Sequence, residues 1–177
     1  IVTDPNRNGC VSRVRRDNRY TRDKSLYREN MWVGFMRDKK AYECAPGFFV
    51  DISLKGSTYG MGFYYTTPRL MQTVRRMIDE NPAAWTKALK RAQAAGFVLA
   101  GDRYARPKKE GLPPLLDAVY NRKTITMERF EPDPAFFGTA ALVDVLKEAF
   151  AALVPLYRLL IAAVERDIEQ AGDAATA

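Results

Sequence analysis

The chain has 177 residues, the length of one domain, and its 47% hydrophobic content is ample for a core. A formal charge of +7 favours acidic partners such as nucleic acid, phosphorylated metabolites or an anionic surface. Histidine is absent, which excludes His-based triads, His general bases and His-rich zinc sites.

Cys10 and Cys44 form no CxxC pair and read as free thiols in a reducing compartment, with a single bridge as the alternative. No apolar run reaches the length of a membrane span, and no signal peptide opens the chain. A cytoplasmic protein without a membrane partner is the expectation, with no cofactor and no metal site. The chain opens on Ile1 instead of methionine, and the expectation is that an N-terminal portion has been removed or left out.

In chain order, Asp4-Pro5-Asn6 and Asn8-Gly9 are turn signals leading into a short strand over Cys10–Val14. From Arg13 to Tyr27 five arginines and a lysine stand against two aspartates. Arg13, Arg16, Tyr20, Lys24 and Tyr27 have helical spacing, but no apolar stripe accompanies them, so a strand entering an ordered loop is preferred. Asn30–Arg37 reads as a buried strand. Gly47–Lys55 and Thr58–Tyr65 read as a hairpin around a Gly56-Ser57 turn.

The period then changes. Thr67-Pro68 is a cap followed by proline at the first helical position, and Leu70, Met71, Val74, Met77 and Ile78 trace an apolar face. Asn81-Pro82 repeats the signal, with Trp85, Leu89 and Ala92 on the buried side and Gly96 as the stop. Residues 101–114 form a basic, proline-bearing loop, Pro114–Val119 a helix and Lys123–Phe130 a strand. A long amphipathic helix covers about 140–168, kinked or interrupted at Pro155, and the small polar tail 171–177 reads as disordered. The whole describes a single α+β domain over residues 1–170. Its antiparallel β-sheet, a meander with a central hairpin, is covered by helices and followed by a long C-terminal helix.

The spacing Arg13, Arg16-Asp17, Arg19-Tyr20, Asp23-Lys24, Tyr27 resembles the signature RxxRDxRF…DKxxY of the conserved hypothetical proteins called domain of unknown function 2461. Pro46-Gly47-Phe48-Phe49, Gly60-Met61-Gly62, Gly101-Asp102-Arg103 with Arg106-Pro107, and Leu153-Val154-Pro155-Leu156 are similar to further motifs of that family. The likeness covers about residues 9–165. Tyr20 stands where the family has phenylalanine, and Leu26 where proline is common. The resemblance implies a shared fold and an N-terminal helical stretch before this chain, but no activity.

Three readings of the basic run stand side by side. In the first, Arg16 pairs with Asp17 or Asp23 and the run is a structural salt-bridge motif. In the second, a small phosphate-bearing ligand is held by Arg13, Arg16, Arg19 and Lys24, with Asp17 and Asp23 orienting the guanidinium forks and Tyr20 and Tyr27 contributing hydroxyls. In the third, the same surface is a nucleic-acid-binding or interaction module whose tyrosines stack on bases. Seven basic residues between Arg13 and Arg28 against two acids leave a local excess that an anion would offset. The small anionic ligand is the reading adopted. A second basic loop (Arg103, Arg106, Lys108, Lys109) would extend that site if it lay beside it. Gly60 and Gly62 make room for a ligand or for another backbone, and Asp51 reads as a solvated strand acid.

Overall fold

The computed structural model describes residues 4, 10–17, 19–20, 22–38, 44–133 and 137–176, with side chains through Asp173. The turn signals of residues 5–9, together with Asn18 and Thr21, lie outside the described residues. Five strands form one antiparallel sheet in the order β1-β2-β3-β5-β4. They are β1 (Asn30–Phe35), β2 (Pro46–Ser53), β3 (Gly56–Phe63), β4 (Val98–Ala100) and β5 (Thr126–Glu131). The meander expected from the sequence holds over β1-β2-β3, and β5 then inserts between β3 and β4. The three-residue β4 was not foreseen, because so short an edge strand leaves no alternating pattern.

The hairpin is confirmed but its turn is shifted. Ser53 pairs with Gly56, so Leu54 and Lys55 are the turn residues and Gly56 opens β3. Gly56 has φ +119, a conformation that glycine adopts without strain. Ser53 Oγ closes the turn by donating to the Gly56 carbonyl at 2.6 Å.

Gly60 and Gly62 accommodate a second backbone. A Cβ on Gly60 would collide with the Met127 carbonyl, and one on Gly62 would lie 2.6 Å from the Ile125 carbonyl. The glycines therefore permit the close pairing of β3 with β5.

Helix starts follow their sequence signals. In α1 (Pro68–Glu80) the Thr67 hydroxyl accepts from the Leu70 N–H at 3.1 Å, and in α2 (Pro82–Ala94) Asn81 Oδ1 accepts from Ala84 N–H at 3.1 Å. Helix α3 (Pro114–Tyr120) is short, and α4 (Leu142–Thr176) is long. Pro155 lies inside α4 without ending it, and the helical backbone continues where a disordered tail was expected after residue 170.

One sheet face meets α4. Phe35 and Phe48 approach Phe150 with ring centroids at 6.5 and 5.0 Å, and Phe48 meets Tyr157 at 5.2 Å. Tyr59, Met61, Met127, Trp85, Leu153 and Leu156 are fully buried, and the methionine and leucine side chains among them are each worth about 1.5–3 kcal/mol. Polar contacts fix α1 against α4: buried Asp167 accepts from Arg69 Nη2 at 2.9 Å and from Thr73 Oγ1 at 3.3 Å. Cys10 and Cys44 are buried and unbridged. Among the described residues no helix is long and apolar enough to cross a membrane, and no cluster of metal-ligating side chains occurs.

Candidate anion-binding arm

The basic run is no helix. It folds back on itself as an arm beyond the β1 edge of the sheet. Ser12 N–H donates to the Trp32 carbonyl at 2.8 Å and Gly34 N–H to the Cys10 carbonyl at 2.7 Å, with Val11 bridging Val33. Further out, Arg28 N–H donates to the Val14 carbonyl at 3.0 Å and Arg16 N–H to the Leu26 carbonyl at 3.1 Å, with Arg15 bridging Tyr27.

The two stretches differ in register. Ser12 stands opposite Trp32 and Val14 opposite Arg28, so Arg13 alone faces Glu29, Asn30 and Met31. Extra residues on one strand bend it. Asn30 and Met31 are meanwhile held from the other side by Ser53 and Ile52 of β2, so the bend falls on the arm.

At this bend an open cleft of about 530 Å³ is lined by Arg16, Asp17, Asp23, Arg28, Glu29 and Asn30. Pairing places Arg16 beside Leu26, and Val14 beside Arg28, on one face of the arm, while Arg15 and Tyr27 occupy the other. Arg16 Nη1 donates to Asp23 and, at 3.3 Å, to Ser25 Oγ. Asp23 also accepts from Ser25 N–H at 2.9 Å. Its carboxyl is held below the ordinary range, first by the Ser25 backbone hydrogen bond and then by the Ser25 side chain and Arg16.

Arg19 lays its fork on Asp17, with Nε at 2.9 Å and Nη2 at 2.7 Å. That hydrogen bonding is the chief cause that lowers Asp17 to about 2, with the Arg19 backbone N–H and the nearby Arg13 charge adding to it. The Arg19 guanidinium also lies 5.6 Å from the Tyr20 ring centroid.

The geometry therefore divides the residues named from the sequence. Arg16, Asp17 and Asp23 line the cleft. Arg19 and Tyr20 form a stacked unit at the tip, and Arg13, Lys24 and Tyr27 are exposed along the arm and do not line the cleft. Tyr20 and Tyr27 point outward, 91% and 58% exposed. Arg28, Glu29 and Asn30 line the cleft but were not singled out as site residues. Their role comes from the bend, which no local motif announces. The second basic loop follows β4 at the opposite edge of the sheet, about 19 Å away at the usual strand spacing, and does not extend this site. Asp51 accepts from Asn30 Nδ2 at 2.8 Å and so steadies the cleft from β2.

No curated protein and no solved structure matches the chain. The family model described as conserved hypothetical protein, domain of unknown function 2461, matches residues 1–159, and the chain belongs to that family.

Proposed function

We propose that the arm binds a small phosphate-bearing ligand in the cleft between Arg16 and Arg28. The observation that carries this reading is the unequal state of the two guanidinium groups. Asp23 and Ser25 orient Arg16, whereas the Arg28 side chain lines the same cleft with no hydrogen-bond or carboxylate partner among the described residues. An anion bridging them would gain two charge-assisted contacts, one from a preoriented fork.

The three cleft carboxylates narrow the ligand class. A bare phosphate meets repulsion from Asp17, Asp23 and Glu29. A phosphate ester carrying hydroxyl or amino groups offers those same carboxylates hydrogen-bond donors. Sugar phosphates and nucleotides fit this requirement.

Single-stranded nucleic acid is the second reading, favoured by the outward Tyr20 and Tyr27 and by Arg15 and Arg22, whose side chains have no partner among the described residues. Thermal unfolding against nucleotides, sugar phosphates, inorganic phosphate and short oligonucleotides separates the two. A ligand at a hundred times its Kd adds about 2.7 kcal/mol, a rise of roughly 5–10 °C for this size. A rise from one phosphate-ester class, lost in Arg16→Ala and Arg28→Ala, supports the cleft. A rise from oligonucleotides alone, lost in Tyr20→Ala, supports the second reading, and no rise from any member overturns both.

A further inference from the structure

The sheet edge opposite the arm carries a separate concentration of positive charge. Three cations approach the ring of Tyr104: Lys108 Nζ at 4.5 Å from the centroid, the Arg75 guanidinium carbon at 5.3 Å and Lys123 Nζ at 5.9 Å. They come from α1, the loop after β4 and the segment before β5. All three lie within about one Debye length of one another, so they repel.

Arg75 is the decisive member, because it is only 8% exposed. Its Nε donates to the Tyr120 carbonyl at 2.9 Å and its Nη2 to the Arg122 carbonyl at 3.0 Å, while Nη1 makes no hydrogen bond with a described residue. No carboxylate among the described residues pairs with it. Asp79, one turn further along α1, is committed to Lys109 Nζ at 2.7 Å and the Tyr120 hydroxyl at 2.9 Å. Neighbouring Arg122 spends its donors on the carbonyls of Ala118, Leu99 and Gly101. A buried guanidinium served by two carbonyl dipoles and by the rings of Tyr104 and Tyr120, at 5.3 and 5.9 Å, with lysines added around it, lacks a full counter-charge.

The backbone that displays these lysines is fixed. Buried Asn121 accepts from Lys108 N–H at 2.6 Å and Lys109 N–H at 3.2 Å, and its Nδ2 donates to the Lys109 carbonyl at 3.0 Å and to Asp117 Oδ1 at 2.7 Å. Tyr104 N–H donates to the Asn121 carbonyl at 3.0 Å and Lys123 N–H to the Asp102 carbonyl at 2.7 Å. Arg106, on the same loop, has no carboxylate partner among the described residues.

We infer that Arg75, Lys108 and Lys123 around Tyr104 form a second anion site, for an oxyanion of the phosphate type. Three cations without an acid among them suit a dianion, and the ring holds them near one point before the anion arrives. The site is independent of the arm, because β2, β3 and β5 lie between the two edges.

The test is a site-resolved amide NMR titration of the whole chain with inorganic phosphate at constant ionic strength. The expected result is a saturable shift at Tyr104, Lys108 and Lys123 that persists in Arg28→Gln, with Kd raised at least tenfold in Lys108→Gln/Lys123→Gln. That double variant changes only exposed side chains, so its fold is retained. Absence of a saturable shift at these residues overturns the proposal. So does a shift that sodium chloride reproduces, or one whose Kd is unchanged in the double variant.

Discussion

Arg16 and Arg28 are diagonal neighbours on one face of the arm, yet only Arg16 is held by a carboxylate. The pair thus combines an oriented fork with an uncommitted one. In the arm the Asp17–Arg19 and Asp23–Arg16 contacts set geometry while leaving other cations available. On the proposed reading, the salt-bridge motif is part of the ligand site instead of an alternative to it.

Replacement of Arg28 by Gln is expected to weaken phosphate-ester binding about tenfold, the loss of one charge-assisted contact. Its effect on stability should stay within about 0.5 kcal/mol, since the side chain is exposed. Calorimetric titration alongside urea unfolding measures both. Asp23→Asn should also weaken binding, but through loss of Arg16 orientation, and the Arg16 side-chain NMR signal should broaden.

Asp17 has a folded pKa of about 2 because Arg19 bonds its charged form. A depressed carboxyl contributes to the folded arm above its unfolded pKa, about 3.9. That contribution is lost as pH falls from there through about 2. Carboxyl NMR titration should give a midpoint near the lower value in the native chain. In Arg19→Gln the midpoint should move up towards the ordinary aspartate range.

Within α4, Pro155 cannot donate to the carbonyl of Ala151, four residues earlier, and Arg91 Nη2 of α2 approaches that oxygen at 3.4 Å. The proline defect is thus partly repaired from a neighbouring helix. Pro155→Ala should raise stability by about 1–3 kcal/mol. Arg91→Met should cost about 0.5–1 kcal/mol in the native chain and less in the Pro155→Ala background. A double-mutant cycle in denaturant measures the coupling, and its absence would show the contact to be idle.

Tyr59 is fully buried, and its hydroxyl has no hydrogen-bond partner among the described residues. Its ring meets Phe97 edge-on at 5.9 Å, a contact that phenylalanine would keep. Tyr59→Phe should therefore leave stability unchanged or raise it by about 1–2 kcal/mol, measured by denaturant midpoint.

Elements with local signals were legible in the sequence. Thr67-Pro68 and Asn81-Pro82 marked two helix starts to the residue, because a cap and a first-turn proline act within four positions. The turn at Leu54-Lys55 was misplaced because Gly56 belongs to the hairpin through its φ and not through a central turn position. The cleft was half legible. Arg16, Asp17 and Asp23 announced themselves by charge density, whereas Arg28, Glu29 and Asn30 joined them only through a register change between paired segments. In the sequence Arg75 stands beside the apolar face of Leu70, Met71, Val74, Met77 and Ile78, with nothing to mark it as buried. Its burial depends on the loop that folds over it from residues 104–109, which no periodicity in α1 reveals.

The most direct measurement follows the arginine side-chain Nε–H signals of Arg16 and Arg28 during titration with the phosphate ester that most raises the melting temperature. The account predicts that both signals shift along one saturable curve with a common Kd, while Arg19, committed to Asp17, stays in place. Shifts that track ionic strength alone, or a ligand that binds while leaving both signals unmoved, would contradict it.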